Sequence, residues 1–128
     1  MDQTMRSDVS LRLPADSAYV SVLRTAASGL AARANFTIED IEDFRMAINE
    51  ACSLLLPMAD ADTDLTADFY LVPRSITASV EVTSSSPTPT EPSDWAWQVL
   101  SALTADASQR VEHGRVTLSL TMHSAVDG

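Results

Sequence analysis

The spacing of apolar and polar residues over residues 36–57 predicts one long helix, around which the rest of the chain is arranged. Thr37 suits the capping position, and Asp40 places negative charge in the first turn. Pro57 ends the helix because it has no backbone N–H group to donate. Apolar residues recur in steps of three and four, as on the core-facing side of a helix. They are Ile41, Phe44, Ile48, Ala51 and Leu55.

A second stripe lies roughly a third of a turn round the same helix. It contains Asp43, Ala47, Glu50 and Leu54. We expect this stripe at or beyond the edge of the core, because the first stripe faces the core. Leu54 is out of place there, since a large apolar side chain normally faces the interior.

Alternation of apolar and polar residues predicts five strands, one of them weak. Two of the strands are separated by Pro73 and Arg74, which indicates an antiparallel hairpin. Pro14 ends the first strand, and Gly114 supplies the turn before the last. The predicted strands are residues 9–13, 65–71, 76–82, the weak 108–113, and 116–122.

Two further helices complete the pattern. Asp16 or Ser17 caps the first, which runs to about residue 34, and Ser93 or Asp94 caps the second, which runs to about residue 105. We expect four apolar residues on the inner face of that last helix. They are Trp95, Val99, Leu100 and Leu103.

The predicted order is therefore β-α-α-β-β-α-β-β. Most strands have one apolar face, which helices on a single side of the sheet can cover. The fold class is α/β (α+β), a two-layer sandwich whose sheet is mixed and mostly antiparallel. The 128 residues suit one domain, with residues 1–7 as a loose polar leader.

A net charge of −10 disfavours nucleic acid as a direct partner, because phosphates are also negative. The charge either keeps the protein soluble or steers a basic protein partner, and the sequence leaves both open. No apolar run approaches ~18 residues and no signal-peptide core is present, so we expect a cytoplasmic protein without a membrane partner. The single cysteine, Cys52, excludes an internal disulfide.

The element order and the central helix, which reads FRMAINEACSLLL, resemble the anti-sigma factors of the RsbW type. These are serine-kinase-like members of the GHKL, or histidine-kinase-like, ATPase superfamily. The AINEAC stretch looks like the N-box helix of that family. WAWQVLSALTAD, followed by a hairpin, looks like the closing part of actinobacterial members. The resemblance covers residues 9–122 approximately and implies a GHKL/Bergerat-like fold.

In that family the N-box carries a glutamate base and, four residues later, an asparagine that holds Mg²⁺. Glu50 matches the glutamate, whereas Leu54 stands at the asparagine position and cannot ligate a hard cation. The family also has two glycine-rich boxes, yet no glycine occurs between Glu81 and Trp95. The resemblance therefore implies a kept fold with a degenerate ATP site. We expect no enzyme activity, no cofactor and no metal.

The resemblance implies a protein that binds an RNA polymerase sigma factor, is released by an anti-anti-sigma factor, and forms a homodimer. One alternative is an active serine kinase of the anti-anti-sigma factor, which would use ATP and Mg²⁺ with Glu50 as the catalytic base. Another is a degenerate ATPase-like module that binds some other regulator. The sequence does not separate the first and third hypotheses.

The partner-binding candidates are Trp97, Asp43, Glu50 and Leu54. Trp97 points away from the apolar face of its helix, so it is either an exposed interface anchor or covered by a neighbouring loop. Glu50 is otherwise an ordinary solvated residue. We expect Cys52 to be buried and inert. His113 and His123 are expected to be exposed, because no Cys/His/Asp cluster has metal-ligand spacing.

Overall fold

The computed structural model describes residues 6–89, 91 and 93–124. Residues 1–5 of the predicted leader lie outside this part of the chain. The described elements follow the predicted order, with two short 3₁₀ turns added at Ser17–Tyr19 and Leu56–Met58. The strands and helices are β1 Val9–Pro14, α1 Val20–Arg33, α2 Ile38–Leu55, β2 Asp64–Val72, β3 Ser75–Thr83, α3 Trp95–Leu103, β4 Asp106–Glu112 and β5 Arg115–His123.

The five strands form one sheet in the order β1-β2-β3-β5-β4. Every described pairing is antiparallel, so the sheet is more regular than the mixed sheet that was predicted. The predicted hairpin is confirmed, with Leu65 opposite Val82 and Phe69 opposite Ala78. β1 is an edge strand. Pairing of two chains to form the expected homodimer stays a prediction.

One face of the sheet is covered by the helices, and the other carries hydroxyl groups. The ring of Phe44 from α2 meets that of Phe69 from β2 edge to face, with centroids 6.4 Å apart and planes at 86°. On the open face, the hydroxyls of Thr77 and Thr121 lie 3.0 Å apart, in hydrogen-bond contact. Because apolar side chains collect on one face only, the two-layer sandwich is confirmed.

Helix α2 packs against α1, α3 and the sheet, and its predicted start is confirmed. The hydroxyl of Thr37 accepts a hydrogen bond from the backbone N–H of Asp40 at 3.1 Å. Of the first predicted stripe, only Ile41 is not fully buried. Ala47 was predicted at the edge of the core but is 0% exposed. Helix α2 packs against two helices and the sheet, so more of its circumference is buried than one stripe.

The last helix begins where predicted, with Asp94 as its N-cap residue, and ends slightly earlier than predicted. The carboxylate of Asp94 accepts from the N–H of Glu91 at 2.9 Å and makes no capping hydrogen bond to the helix. The helix ends at Leu103 because Thr104 has an extended backbone. Trp95 was placed on the inner face, yet it is 77% exposed, whereas Trp97 is half-buried against the core. At about 100° per residue, Trp95 lies about 140° from buried Leu100 and Trp97 only about 60° from it.

The turn between β4 and β5 contains a histidine in the left-handed region of backbone conformation. His113 has φ 54° and Gly114 has φ 73°, as in a type I′ hairpin turn, which favours asparagine followed by glycine. We expect His113→Asn to raise the free energy of unfolding by about 0.5–1 kcal/mol, since asparagine tolerates this conformation better. Urea denaturation measures the change.

The matched control is His123→Asn, at the exposed end of β5, where no positive φ occurs. We expect this control to leave the free energy of unfolding unchanged. Equal effects of the two substitutions would show that strain at His113 does not limit stability.

Candidate functional site

The outer surface of α1 and α2 carries two grooves that meet at the same pair of residues, Arg24 and Asn49. The larger groove has a volume of about 580 Å³ and the smaller about 320 Å³. Both fall in the range of ligand-sized clefts. We call this region the Arg24 surface. The larger groove is also lined by Ala15, Ser17, Val20, Cys52, Ser53, Leu56 and Pro57, and the smaller by Glu42, Arg45, Met46 and Glu50.

Arg24 is half-buried and is held in place by a neighbouring helix. Its Nη1 donates to Oδ1 of Asn49 at 2.7 Å. Within the described ranges, no carboxylate forms an ion pair with this guanidinium. A guanidinium has five N–H donors, and two of them fit a carboxylate side by side. The site can therefore accept a carboxylate from another molecule.

The structure separates the residues that the sequence grouped as partner-binding candidates. Glu50 lines the smaller groove beside Arg24. Asp43 and Leu54 are half-buried and line neither groove, and Leu54 packs against the core. Trp97 lies on α3. Only Glu50 of the four therefore belongs to the Arg24 surface.

The residues near Glu50 do not fit a magnesium ion at the place that the family resemblance implies. Leu54 offers no donor atom there, and the amide oxygen of Asn49 accepts from Arg24. In the part of the chain that the structure describes, no cluster of three His, Cys, Asp or Glu residues could hold a metal ion. Magnesium bound by this chain would need ligands other than the family asparagine.

The glycine-free loop after β3 is tied to the segment that follows α2. The N–H and the hydroxyl of Ser85 both donate to Oδ1 of Asp60, at 3.0 and 2.9 Å. The N–H of Asp60 in turn donates to the carbonyl of Thr83 at 2.9 Å. The backbone N–H of Ser85 is thus used within the protein, whereas the N–H groups of a glycine-rich box would point at phosphate oxygens.

Cys52 forms part of the wall of the larger groove, although its side chain is only 1% exposed. Burial raises the pKa of its thiol from 9.0 to about 11, and the nearby positive charge of Arg24 partly opposes this rise. The expectation that Cys52 is buried is confirmed. His113 and His123 are exposed, also as expected.

Sequence reasoning missed Arg24 and Asn49, the two residues at the centre of the site. One signal was available, because Arg24 directly follows buried Leu23 and lies three residues before buried Ala27. A charged residue beside the apolar stripe of a helix is expected to contact a neighbouring element. Its partner, Asn49 on α2, could not be found without knowing how the two helices pack against each other.

The raised pKa of Cys52 predicts a loss of stability at alkaline pH. The folded protein holds the thiol proton more tightly than the unfolded chain, so this contribution is complete below pH 9 and is lost as pH rises towards 11. A shift of this size corresponds to roughly 2–3 kcal/mol. Urea denaturation between pH 8 and pH 11 should show it.

The control is Cys52→Ala, which keeps every other titrating group. We expect the variant to be less stable at pH 8 but to lose less stability as the pH rises. Parallel pH profiles for the two proteins would contradict this assignment.

No family model matches the chain. The chain is 37% identical over 71 residues to serine-protein kinase RsbW of Listeria innocua, covering 53% of this chain and 45% of that protein. It is 40% identical over 45 residues to serine-protein kinase RsbW of Bacillus velezensis, covering 35% and 28%. The chain thus spans less than half the length of these relatives.

No described helix is long and apolar enough to cross a membrane.

The fold also matches a solved structure, the RsbU and RsbW domains of Rv1364c from Mycobacterium tuberculosis. The TM-score is 0.70 at 19% sequence identity, over 91% of this chain and 31% of that one. This likeness confirms the expected fold class.

The relatives correct one expectation from the sequence. They are named serine-protein kinases, so the expectation that the protein is not an enzyme is wrong. It rested on Leu54 and the glycine-free loop, which are two parts of one family pattern. These two features concern only how a nucleotide-binding site is built, and they do not outweigh the sequence similarity to kinases. In sequence, over about half its length, the chain is similar to the RsbW serine-protein kinases, and in fold, over most of its length, it is similar to the solved RsbU and RsbW domains.

Proposed function

We propose that this protein is an RsbW-class regulator that binds an RNA polymerase sigma factor and keeps it from the core enzyme. The observation that carries the proposal is the Arg24 surface. There, Asn49 holds the guanidinium of Arg24 in place, and both residues line two open grooves. Similarity to RsbW proteins supports it. The net charge of −10 favours a protein partner over nucleic acid.

The chemistry of the Arg24 surface suits a protein segment that carries one acidic side chain among apolar ones. A partner carboxylate can form two parallel hydrogen bonds with the guanidinium of Arg24, which Asn49 holds in position. Exposed Met46 lines the smaller groove and offers an adaptable apolar contact. Val20 and Leu56 provide apolar walls in the larger groove.

We expect Arg24→Glu to weaken sigma-factor binding by about 2–5 kcal/mol, because it replaces an attractive charge with a repulsive one at a partly desolvated contact. Titration of the purified protein against the alternative sigma factors of the source cell measures the dissociation constants.

The matched control is Arg33→Glu, which makes the same charge change at an exposed position in the last turn of α1. We expect this variant to bind almost as the wild type does. Equal loss in both variants would indicate general electrostatics instead of a contact at Arg24. If no sigma factor binds at micromolar concentration but some other regulator does, the protein is instead an ATPase-like module for that regulator.

The names of the relatives favour a second function, phosphorylation of a serine on an anti-anti-sigma factor. Glu50 is half-buried and lines the smaller groove, where a serine hydroxyl of a bound protein can reach its carboxylate. A carboxylate so placed can accept the hydroxyl proton during phosphoryl transfer. ATP would supply the phosphoryl group in such a reaction, and ADP would leave as its bond to the transferred phosphorus breaks.

We expect Glu50→Gln to lower phosphate transfer roughly 100-fold or more, because glutamine cannot accept the proton. The assay follows radiolabel from ATP to a candidate anti-anti-sigma factor. Glu39→Gln, at an exposed position in the first turn of α2, is the control and should keep wild-type transfer. Equal transfer by Glu50→Gln and the wild type would remove Glu50 from the reaction.

A further inference from the structure

We propose that the outward face of α3 is a second docking surface, which takes a basic protein surface with an apolar pocket for the Trp95 indole. The inference rests on the proposed function, since the partner is the same sigma factor. Trp95 is 77% exposed, whereas Trp97, two residues later, packs partly against the core. The sequence left Trp97 as either an exposed anchor or a covered residue, and the exposed tryptophan of α3 is Trp95.

The Trp95 indole is the largest exposed side chain on α3. The other exposed positions of the helix are Gln98, Ser101 and Ala102, and two of these have short side chains. The opposite side of α3 is fixed in the core by buried Leu100. An indole on a rigid helix provides a large contact area at a low entropy cost, as at the centres of many protein interfaces.

The charge around Trp95 determines the chemistry of its partner. No arginine, lysine or histidine occurs between Arg74 and Arg110, so every charged side chain in this segment is negative. Glu91 and Asp94 are both exposed within four residues of the indole. A partner that covers Trp95 must approach these carboxylates, and a basic surface does so with a gain in electrostatic energy.

This surface differs from the Arg24 surface in position and in charge preference. Arg24 lies on α1, and α2 packs against both α1 and α3. The Arg24 surface accepts a carboxylate, whereas the α3 surface accepts cationic groups. A sigma factor that contacts both surfaces needs an acidic side chain and a basic patch at a matching separation, which fixes its orientation.

The test compares Trp95→Ala with the wild type in the sigma-factor titration described above. We expect the dissociation constant to rise by roughly 30-fold or more, as for a central tryptophan anchor, with an unchanged urea midpoint. The control is Val72→Ala, which truncates an exposed apolar residue beside the β2–β3 turn, at the opposite end of β3 from the chain that leads to α3. This control should bind as the wild type does.

A second measurement leaves Trp95 in place. In a Trp97→Phe variant, Trp95 is the only tryptophan of the chain. We expect its emission to shift to shorter wavelength and its quenching by acrylamide to fall when the sigma factor binds. Glu91→Lys should lower the association rate at low salt and reduce its dependence on salt.

The outcomes separate this inference from the proposed function. If a sigma factor binds, but Trp95→Ala stays within threefold of the wild type and quenching of Trp95 does not change, the α3 surface is not a docking site. In that case the Arg24 surface can still bind the sigma factor. If no sigma factor binds the wild-type protein, the proposed function fails and this inference fails with it.

Discussion

Burial of α2 against the sheet is the constraint on which the rest of this structure depends. Six of its side chains are buried, and the Phe44 ring meets Phe69 edge to face at 6.4 Å. Truncating such a buried phenylalanine typically costs about 3–5 kcal/mol, a large part of the stability of a small domain. Because α1 and α3 both pack against α2, its burial also fixes where these two helices lie.

The same packing determines which residues of α2 are available for function. Both helices bury small residues, with Ala27 and Ala31 on α1 and Ala47 and Ala51 on α2 all fully buried. Only the remaining positions of α2 are open to a partner. Asn49 and Glu50 are among these positions and are half-buried. The guanidinium of Arg24 reaches Asn49 because the two helices are close.

Most of the fold could be predicted from the sequence because each element has a period that only one local structure satisfies. Residues 65–71 and 76–82 alternate strictly, and the observed strands extend each by one residue at either end. Features that depend on two elements were harder to predict. Ala47 is buried because α2 packs against two helices and the sheet, and Trp95 is exposed while Leu100, elsewhere on the same helix, is buried. Neither fact can be read from the period of one helix.

The candidate site shows the same limit more strongly. Glu50 could be found because it belongs to a motif within a single helix, whereas Arg24 and Asn49 are 25 residues apart and meet only in the folded chain. The absence of enzyme activity was inferred from single positions such as Leu54, and similarity to serine-protein kinases over a much longer stretch contradicts it. A motif position such as Leu54 tests only one way in which a nucleotide site can be built. Sequence similarity depends on many positions at once and is therefore the stronger evidence.

The position of Glu50 relates the two proposed functions to each other. Both grooves include Arg24 and Asn49, and the smaller one also includes Glu50. A protein that fills both grooves and places a carboxylate on Arg24 therefore covers the Glu50 side chain as well. A serine hydroxyl of a second protein then has no access to that carboxylate. In this arrangement, binding of a sigma factor and phosphorylation of an anti-anti-sigma factor exclude each other on one chain, so the affinity of each partner for the Arg24 surface sets which of the two proceeds.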